Sequence, residues 1–322
     1  MLKQLVNNII DGYRLTEKDD LSFLLSENLD DLKIYANTIR KSICGNHINL
    51  CSIINGRSGK CPENCKFCAQ SSHNKANINK FDFLNKDYIL SECKKAESNG
   101  VHRFSIVTAG RNLSDSEFEL AIEAYKLMKK NCPDISICAS HGLLTESQFI
   151  KLRNVGVKTY HANIETSKRY FPKICTTHTF EDKIKCIKLA QKAGLNVCSG
   201  GIIGLGETWQ DRIDMALILS KLNIKSIPIN ALIPIKGTPL ENNSLLNEND
   251  IIRTVVIFRF INPTAYIRLA AGRNLLNECG KEAFFSGANA AITGDMLTTS
   301  GNSVSQDKDI FIKYGFDISP EN

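Results

Sequence analysis

The chain has no long apolar run. Its first twenty residues, MLKQLVNNIIDGYRLTEKDD, are interrupted by charge before a hydrophobic signal core could form, and no later stretch approaches a membrane span. These absences predict a cytoplasmic protein that makes no use of a membrane. A basic block is missing too. The net charge is +6, but acids lie among the lysines and no face is marked out for nucleic acid. No low-complexity linker and no break in composition divides the 322 residues, whose number alone allows two small domains or one large barrel. A hydrophobic share of 43% is ample for a sizeable core, so disorder is not expected over most of the length.

Cysteine, by contrast, is abundant at twelve residues. Without a secretory signal structural disulfides are rare, and metal ligation or redox chemistry becomes the leading explanation. The scattered Cys44, Cys93, Cys132 and Cys186 read as small buried hydrophobes.

From about residue 48, short β-rich runs alternate with helical patterns. The runs are INLCSII (48–54), HRFSIV (102–107), ISICAS (135–140), KTYHANI (158–164), NVCSGG (196–201), SIPINAL (226–232), AYIRLAA (265–271) and a weaker FSGANAA (285–291). Ser114, Thr145 and Thr208 are placed to cap helices, and Gly100, Gly156 and Gly194 to end them in left-handed turns. Eight such units predict an α/β fold, a TIM-type (β/α)8 barrel over residues 46–315. A helical extension over 1–45 precedes it and a tail over 316–322 follows; the polar stretch from residue 300 is expected to be partly ordered at most. An open doubly wound sheet is the alternative.

The strongest chemical signal is Cys61-Pro-Glu-Asn-Cys65-Lys-Phe-Cys68, directly after the first β-run. Three thiolates in one loop can hold three corners of a cubane cluster and leave the fourth iron open. A zinc site would need a fourth ligand, for which His73 is a candidate, and zinc ligands normally come as two separated pairs. At the end of the fifth run, Gly201-Ile-Ile-Gly204-Leu-Gly206-Glu207 combines glycines with a helix start, a pattern that can bring backbone close to a ligand. Cys138, Asn163, Glu165, Cys198, Asn230 and Arg268 fall on or at the ends of predicted strands, where a barrel keeps its site. Cys51, Cys138, Cys198 and Arg268 could converge inside the barrel. A buried arginine there calls for an anionic partner, and a second iron–sulfur cluster would supply one.

The C-x3-C-x2-C loop, with Phe67 in its aromatic place, resembles that of the radical S-adenosylmethionine (SAM) superfamily. The resemblance implies a [4Fe-4S] cluster on Cys61, Cys65 and Cys68 whose open iron binds the methionine part of SAM. Gly204 and Gly206 would then line the SAM pocket. Five ordered segments, NGRSGKCPENCKFCAQSS, VCSGGIIGLGET, PINALIPIKGTPL, YIRLAAGR and GANAAITGDMLTTSGN, make the chain similar to the biotin synthase family from about residue 45 to 315.

That similarity implies hydrogen abstraction from dethiobiotin by a 5′-deoxyadenosyl radical and sulfur insertion from an auxiliary cluster, [2Fe-2S] or a variant. No catalytic side chain is implied beyond the cluster ligands. Carried over by position, Asn163 and Glu165 would touch SAM, His161 and Asn230 the substrate, and Cys138, Cys198 and Arg268 the auxiliary cluster. The sequence departs from the family in having Ser105 where the fourth auxiliary ligand is usually cysteine, His161 for asparagine and Glu165 for aspartate. Serine is a poorer ligand for iron. Cys51, and after it Cys175, are therefore expected to replace the missing thiolate. The resemblance also implies a flavodoxin or ferredoxin as electron donor, and a homodimer. Rival readings are a hydrogenase-cofactor maturase-like or methylornithine synthase-like enzyme on the same barrel, and a non-catalytic zinc-binding module.

Overall fold

The structure, a computed structural model, describes residues 2–297 and 301–319. Residues 298–300, inside the segment GANAAITGDMLTTSGN, and 320–322 of the expected tail lie outside the described residues. Nine parallel strands form the sheet: β1 Asn49–Arg57, β2 Arg103–Thr108, β3 Ser136–Ser140, β4 Thr159–His161, β5 Asn196–Cys198, β6 Gly201–Ile203, β7 Ser226–Ala231, β8 Tyr266–Leu269 and β9 Ala290–Ile292. Their order is β5-β4-β3-β2-β1-β9-β8-β7-β6, and a further β5–β7 pairing closes the ring into a parallel barrel. The open doubly wound sheet is thereby excluded.

The fifth predicted run is one stave broken into β5 and β6, and the cause lies on the neighbouring strand. Ser199 N donates to Ser226 O at 3.0 Å, and the next rung back would have to come from the nitrogen of Pro228, which carries no hydrogen. Gly200 passes so close to β7 that a Cβ there would sit 1.9 Å from Pro228 O. The ladder resumes with Gly201 paired to Ile229.

Helix starts follow the expected chemistry. Ser114 with Glu117, Thr145 with Gln148 and Thr208 with Asp211 form reciprocal caps on Asp115–Asn131, Glu146–Asn154 and Trp209–Lys221. Gly100, Gly156 and Gly194 take positive φ at the ends of their helical units. On β2, Phe104 and Ile106 turn outward into the layer beneath the helices, each contributing roughly 1.5–3 kcal/mol by burial. The helix Glu248–Ile261 is buried nearly all round from Ile251 onward, and Leu29–Cys44 from the amino-terminal region packs against it.

The stretch after residue 300 differs from expectation. It forms a helix, Val304–Lys313, that buries Phe311 against Phe284 with ring centroids 4.7 Å apart. Phe316 is buried, and Asp317 O accepts from Ile48 N at 2.8 Å beside the start of β1. Two well-placed phenylalanines are enough to dock a stretch that is polar by composition. Asp307, with no exposed surface, pairs with Arg273 Nη1 through Oδ2 at 2.9 Å.

One buried group makes stability depend on pH. His141 sits between Tyr125 OH (2.7 Å) and Thr108 Oγ1 (3.0 Å), and burial pushes its pKa down to about 3, with Arg57 adding to the effect. The unfolded chain takes up this proton near pH 6.5 while the folded chain does not. Stability is therefore fully present above that pH and falls by about 1.4 kcal/mol per unit as acid is added, until the folded pKa is reached. Thermal unfolding between pH 7 and pH 5 should show this slope, and His141→Gln should flatten it.

Candidate active site

The strands enclose one cavity of about 360 Å3. Period-two alternation decides which residues face it: β2 presents Arg103, Ser105 and Val107, β3 presents Cys138 and Ser140, and β7 presents Ser226, Pro228 and Asn230. Parallel register then sets Cys51 beside Arg103, Ser105 beside Cys138, His161 beside Cys198 and Pro228 beside Arg268. Cys51, Ser105, Cys138, Cys198 and Arg268 all line the cavity, on five different strands.

The chemistry of this floor is that of a thiolate centre. Arg268 is buried, and its Nη1 donates to Ala291 O (2.8 Å) and Asn49 O (3.1 Å), with Nη2 on Asn49 Oδ1. These partners are neutral. Burial pushes the guanidinium pKa down, and the thiols of Cys51, Cys198 and Cys138 act against that. Burial raises Cys51 and takes Cys138 up to about 12. Cys198 goes the other way. Burial would raise it, but the His161 imidazole, Arg268 and Ser226 outweigh burial and bring it down to about 7. Ser105 Oγ is buried with no hydrogen-bond partner among the described residues. A buried cation facing three thiols, beside an unsatisfied hydroxyl, fits an anionic group with soft ligands.

The loop after β1 carries the cysteine triad over the same cavity. Phe67 and Cys68 line it; Cys61 and Cys65 do not. The carbonyls of all three cysteines accept from donors within the loop: Ser72 N to Cys61 at 2.8 Å, and Asn74 Nδ2 to Cys65 and Cys68 at 3.1 and 2.8 Å. Burial raises the Cys68 thiol to about 11, so metal must displace its proton. With the backbone satisfied internally, three thiols are what the loop has to offer, and that fits a cluster with one open iron.

Asn163, Glu165, His161 and Asn230 line the cavity as well. Asn163 Oδ1 accepts from Gly200 N at 3.0 Å, in the gap between β5 and β6. Glu165 has φ of +67°, a left-handed conformation that costs a non-glycine residue about 1–3 kcal/mol and tends to cluster at functional sites. Its carboxylate lies 3.7 Å from Lys183 Nζ, so the rim offers both charges to a zwitterion. Asn230 ties Gly201 O (3.0 Å) to Ala271 N (3.2 Å).

Three expected site residues lie elsewhere. Gly204 and Gly206 do not line the cavity; their φ of +92° and +101° shape a turn in which a side chain of the same segment takes two amides. Gly204 N donates to Glu207 Oε1 at 2.9 Å, and Leu205 N donates to Oε2 at 2.8 Å. Ile202 is the residue of that segment that reaches the cavity. Cys175 is also outside it, 3.7 Å from Cys65 Sγ on the far side of the triad loop, and so cannot replace a ligand on the barrel floor. His73 is directed at Pro62 O at 3.0 Å, and His178 Nδ1 lies 3.3 Å from Cys175 Sγ.

The residues missed are Arg103 and Lys183. Arg103, over the Tyr266 ring at 5.1 Å, was readable as a charge on the inward period of its β-run. Lys183 lies in the helix Phe180–Lys192 and no local pattern marks it.

A triad loop at the mouth of a closed parallel barrel, over a cavity lined from every side, defines a radical SAM barrel enzyme. A family model described as the radical SAM superfamily matches residues 57–219, and one described as the biotin and thiamin synthesis associated domain matches 228–317. The chain is 62% identical to a biotin synthase from Clostridium beijerinckii over 98% of its own length and 100% of that protein's, and 58% identical to a biotin synthase from Alkaliphilus metalliredigens over 98% and 99%. It belongs to the biotin synthase family.

Among solved structures, methylornithine synthase superposes with a TM-score of 0.84 at 20% identity, covering 99% of this chain and 97% of that one. The FeFe-hydrogenase maturase from Carboxydothermus hydrogenoformans gives 0.81 at 18%, covering 98% and 78%. These two share the fold. Radical SAM membership implies a [4Fe-4S] cluster and SAM as cofactors. Among the described residues, no helix is long and apolar enough to cross a membrane.

Proposed function

We propose that this chain converts dethiobiotin to biotin, with sulfur drawn from an auxiliary iron–sulfur cluster on the barrel floor. The observation that carries this is a single cavity bounded by Cys68 and Phe67 of the triad loop and by Cys51, Cys138, Cys198 and Arg268. Two soft-ligand sites facing one space suit a reaction that breaks a C–H bond from one side and makes a C–S bond from the other. When bound, the [4Fe-4S] cluster with SAM supplies the 5′-deoxyadenosyl radical, and the auxiliary cluster supplies sulfide.

The chain's own part is to hold, orient and exclude water. Cys61, Cys65 and Cys68 hold the first cluster, and Glu165 with Lys183 and Asn163 meets the charged end of SAM. His161 and Asn230 lie where the ureido ring of dethiobiotin would rest. Cys51 takes the place left by Ser105, completing three thiolates with Arg268 as the fourth ligand. An auxiliary cluster of [2Fe-2S] type or a variant fits this set.

The family resemblance supports a flavodoxin or ferredoxin as the one-electron donor and a homodimer as the assembly. All twelve cysteines are unpaired, which supports a reducing compartment and hence the cytoplasm. Anaerobic iron and sulfide analysis with Mössbauer spectra, followed by a dethiobiotin, SAM and reductant assay scored for biotin, tests the proposal. Two distinct clusters and biotin are expected. One cluster, SAM cleavage and no biotin would overturn it.

A further inference from the structure

Behind the triad loop, away from the cavity, three ligand-capable groups meet that the proposed reaction does not use together. Cys65 Sγ is 3.7 Å from Cys175 Sγ, and Cys175 Sγ is 3.3 and 3.9 Å from the two ring nitrogens of His178. Their ligand atoms all lie within 4.8 Å of one another. An ion held tetrahedrally at about 2.3 Å from sulfur and about 2.0 Å from nitrogen sets its ligand atoms about 3.5–3.8 Å apart, close to the 3.7 Å from Cys65 to Cys175 and the 3.3 Å from Cys175 to His178 Nδ1.

The arrangement is built and held. Asn64 Nδ2 donates to Thr176 Oγ1 at 2.7 Å, its Oδ1 accepts from Thr176 N at 2.9 Å, and Lys66 N donates to Ile174 O at 2.9 Å. These bonds fasten the triad loop to the segment that carries Cys175 and His178. His178 Nδ1, the ring nitrogen nearer Cys175 Sγ, is also bonded to the buried Glu63 carboxylate at 2.6 Å; a metal that displaces the shared proton takes Nδ1, with the carboxylate alongside it. Glu63 is itself fixed by Arg111 at 3.1 Å and by the Thr177 hydroxyl. Asn64 Oδ1, 3.4 Å from Cys175 Sγ, or a water can complete four ligands.

We propose that in the cluster-free protein Cys65, Cys175 and His178 bind one divalent transition-metal ion of the ferrous or zinc class through their two sulfurs and the imidazole Nδ1, with the Glu63 carboxylate beside the bound ion. Cys65 is shared with the triad, so this ion and the [4Fe-4S] cluster exclude each other. The proposal rests on the triad being the cluster site.

The test uses the full chain, kept anaerobic and reduced, stripped of iron by chelation and titrated with Co2+. The background variant C61S/C68S removes the triad as a competing site and leaves the barrel floor intact. It should bind one more equivalent of Co2+ than either C61S/C68S/C175A or C61S/C68S/H178A, and the difference should carry thiolate-to-cobalt charge transfer and tetrahedral d–d absorption. The unsubstituted chain with its [4Fe-4S] cluster assembled should show no such signal. Equal Co2+ uptake by the background and both triple variants, with circular dichroism showing all three folded, overturns the proposal, as does persistence of the signal in the cluster-loaded chain. Failure of the triad reading is separately visible, as an unsubstituted chain that assembles no [4Fe-4S] cluster on reconstitution.

Discussion

Cys51→Ala is expected to strip the auxiliary iron, leave the [4Fe-4S] cluster and SAM cleavage in place, and lower biotin formation by more than about a hundredfold. The expectation follows from what surrounds Cys51. Its thiol lines the cavity with those of Cys138 and Cys198, and all three bear on the buried charge of Arg268. Ser105 stands next to Cys138 in register, but its hydroxyl is the poorer ligand and has no partner among the described residues to sharpen it as an acceptor. Without Cys51 the floor has two thiols and an arginine, too few to hold a cluster that must also give up sulfur. The triad loop has its own internal hydrogen bonds and should be untouched. Iron counting with Mössbauer spectra on the variant decides the matter, and retention of all iron would sink the assignment.

Asp307→Ala should cost about 3–5 kcal/mol, the range for removing one partner of a buried ion pair. Asp307 has no exposed surface and meets both terminal nitrogens of Arg273, with Asn302 Nδ2 also donating to it at 3.0 Å. Truncation would leave the Arg273 guanidinium buried between the rings of Phe284 and Phe311 with, among the described residues, only Cys279 O, at 2.8 Å, still accepting from it. Because Val304–Lys313 carries Asp307, the loss should loosen the carboxyl-terminal docking on β1 first. Denaturant unfolding of the cluster-free chain measures the cost; a change below about 1 kcal/mol would show the pair to be dispensable.

Much of the barrel was legible because its signals are local. A β-branched run, a Ser or Thr cap and a closing glycine are each contained in a few residues, and Ser114, Thr145 and Thr208 all cap as their sequence context predicts. The break between β5 and β6 was not legible, because its cause is Pro228, on another strand and reaching Ser199 only after folding. The placement of Cys175 fails for the same reason: 110 positions separate it from Cys65, and nothing local tells a barrel-floor ligand from one behind the loop. The tail misled through composition, which hid Phe311 and Phe316 among polar neighbours. Gly204 and Gly206 misled because a glycine-rich turn advertises free amides, and only the fold reveals that the Glu207 carboxylate has claimed those of Gly204 and Leu205.

That carboxylate makes the turn self-sufficient. Glu207, backed by Arg212 at 2.8 Å, puts a resident negative charge where glycine-rich turns of nucleotide-binding proteins seat a phosphate. Arg212 Nη1 in turn donates to Thr254 Oγ1 at 3.1 Å, on the helix Glu248–Ile261. The turn is thus an internal clasp that fastens the end of β6 to two helices, its anion supplied by the chain itself and not by a ligand.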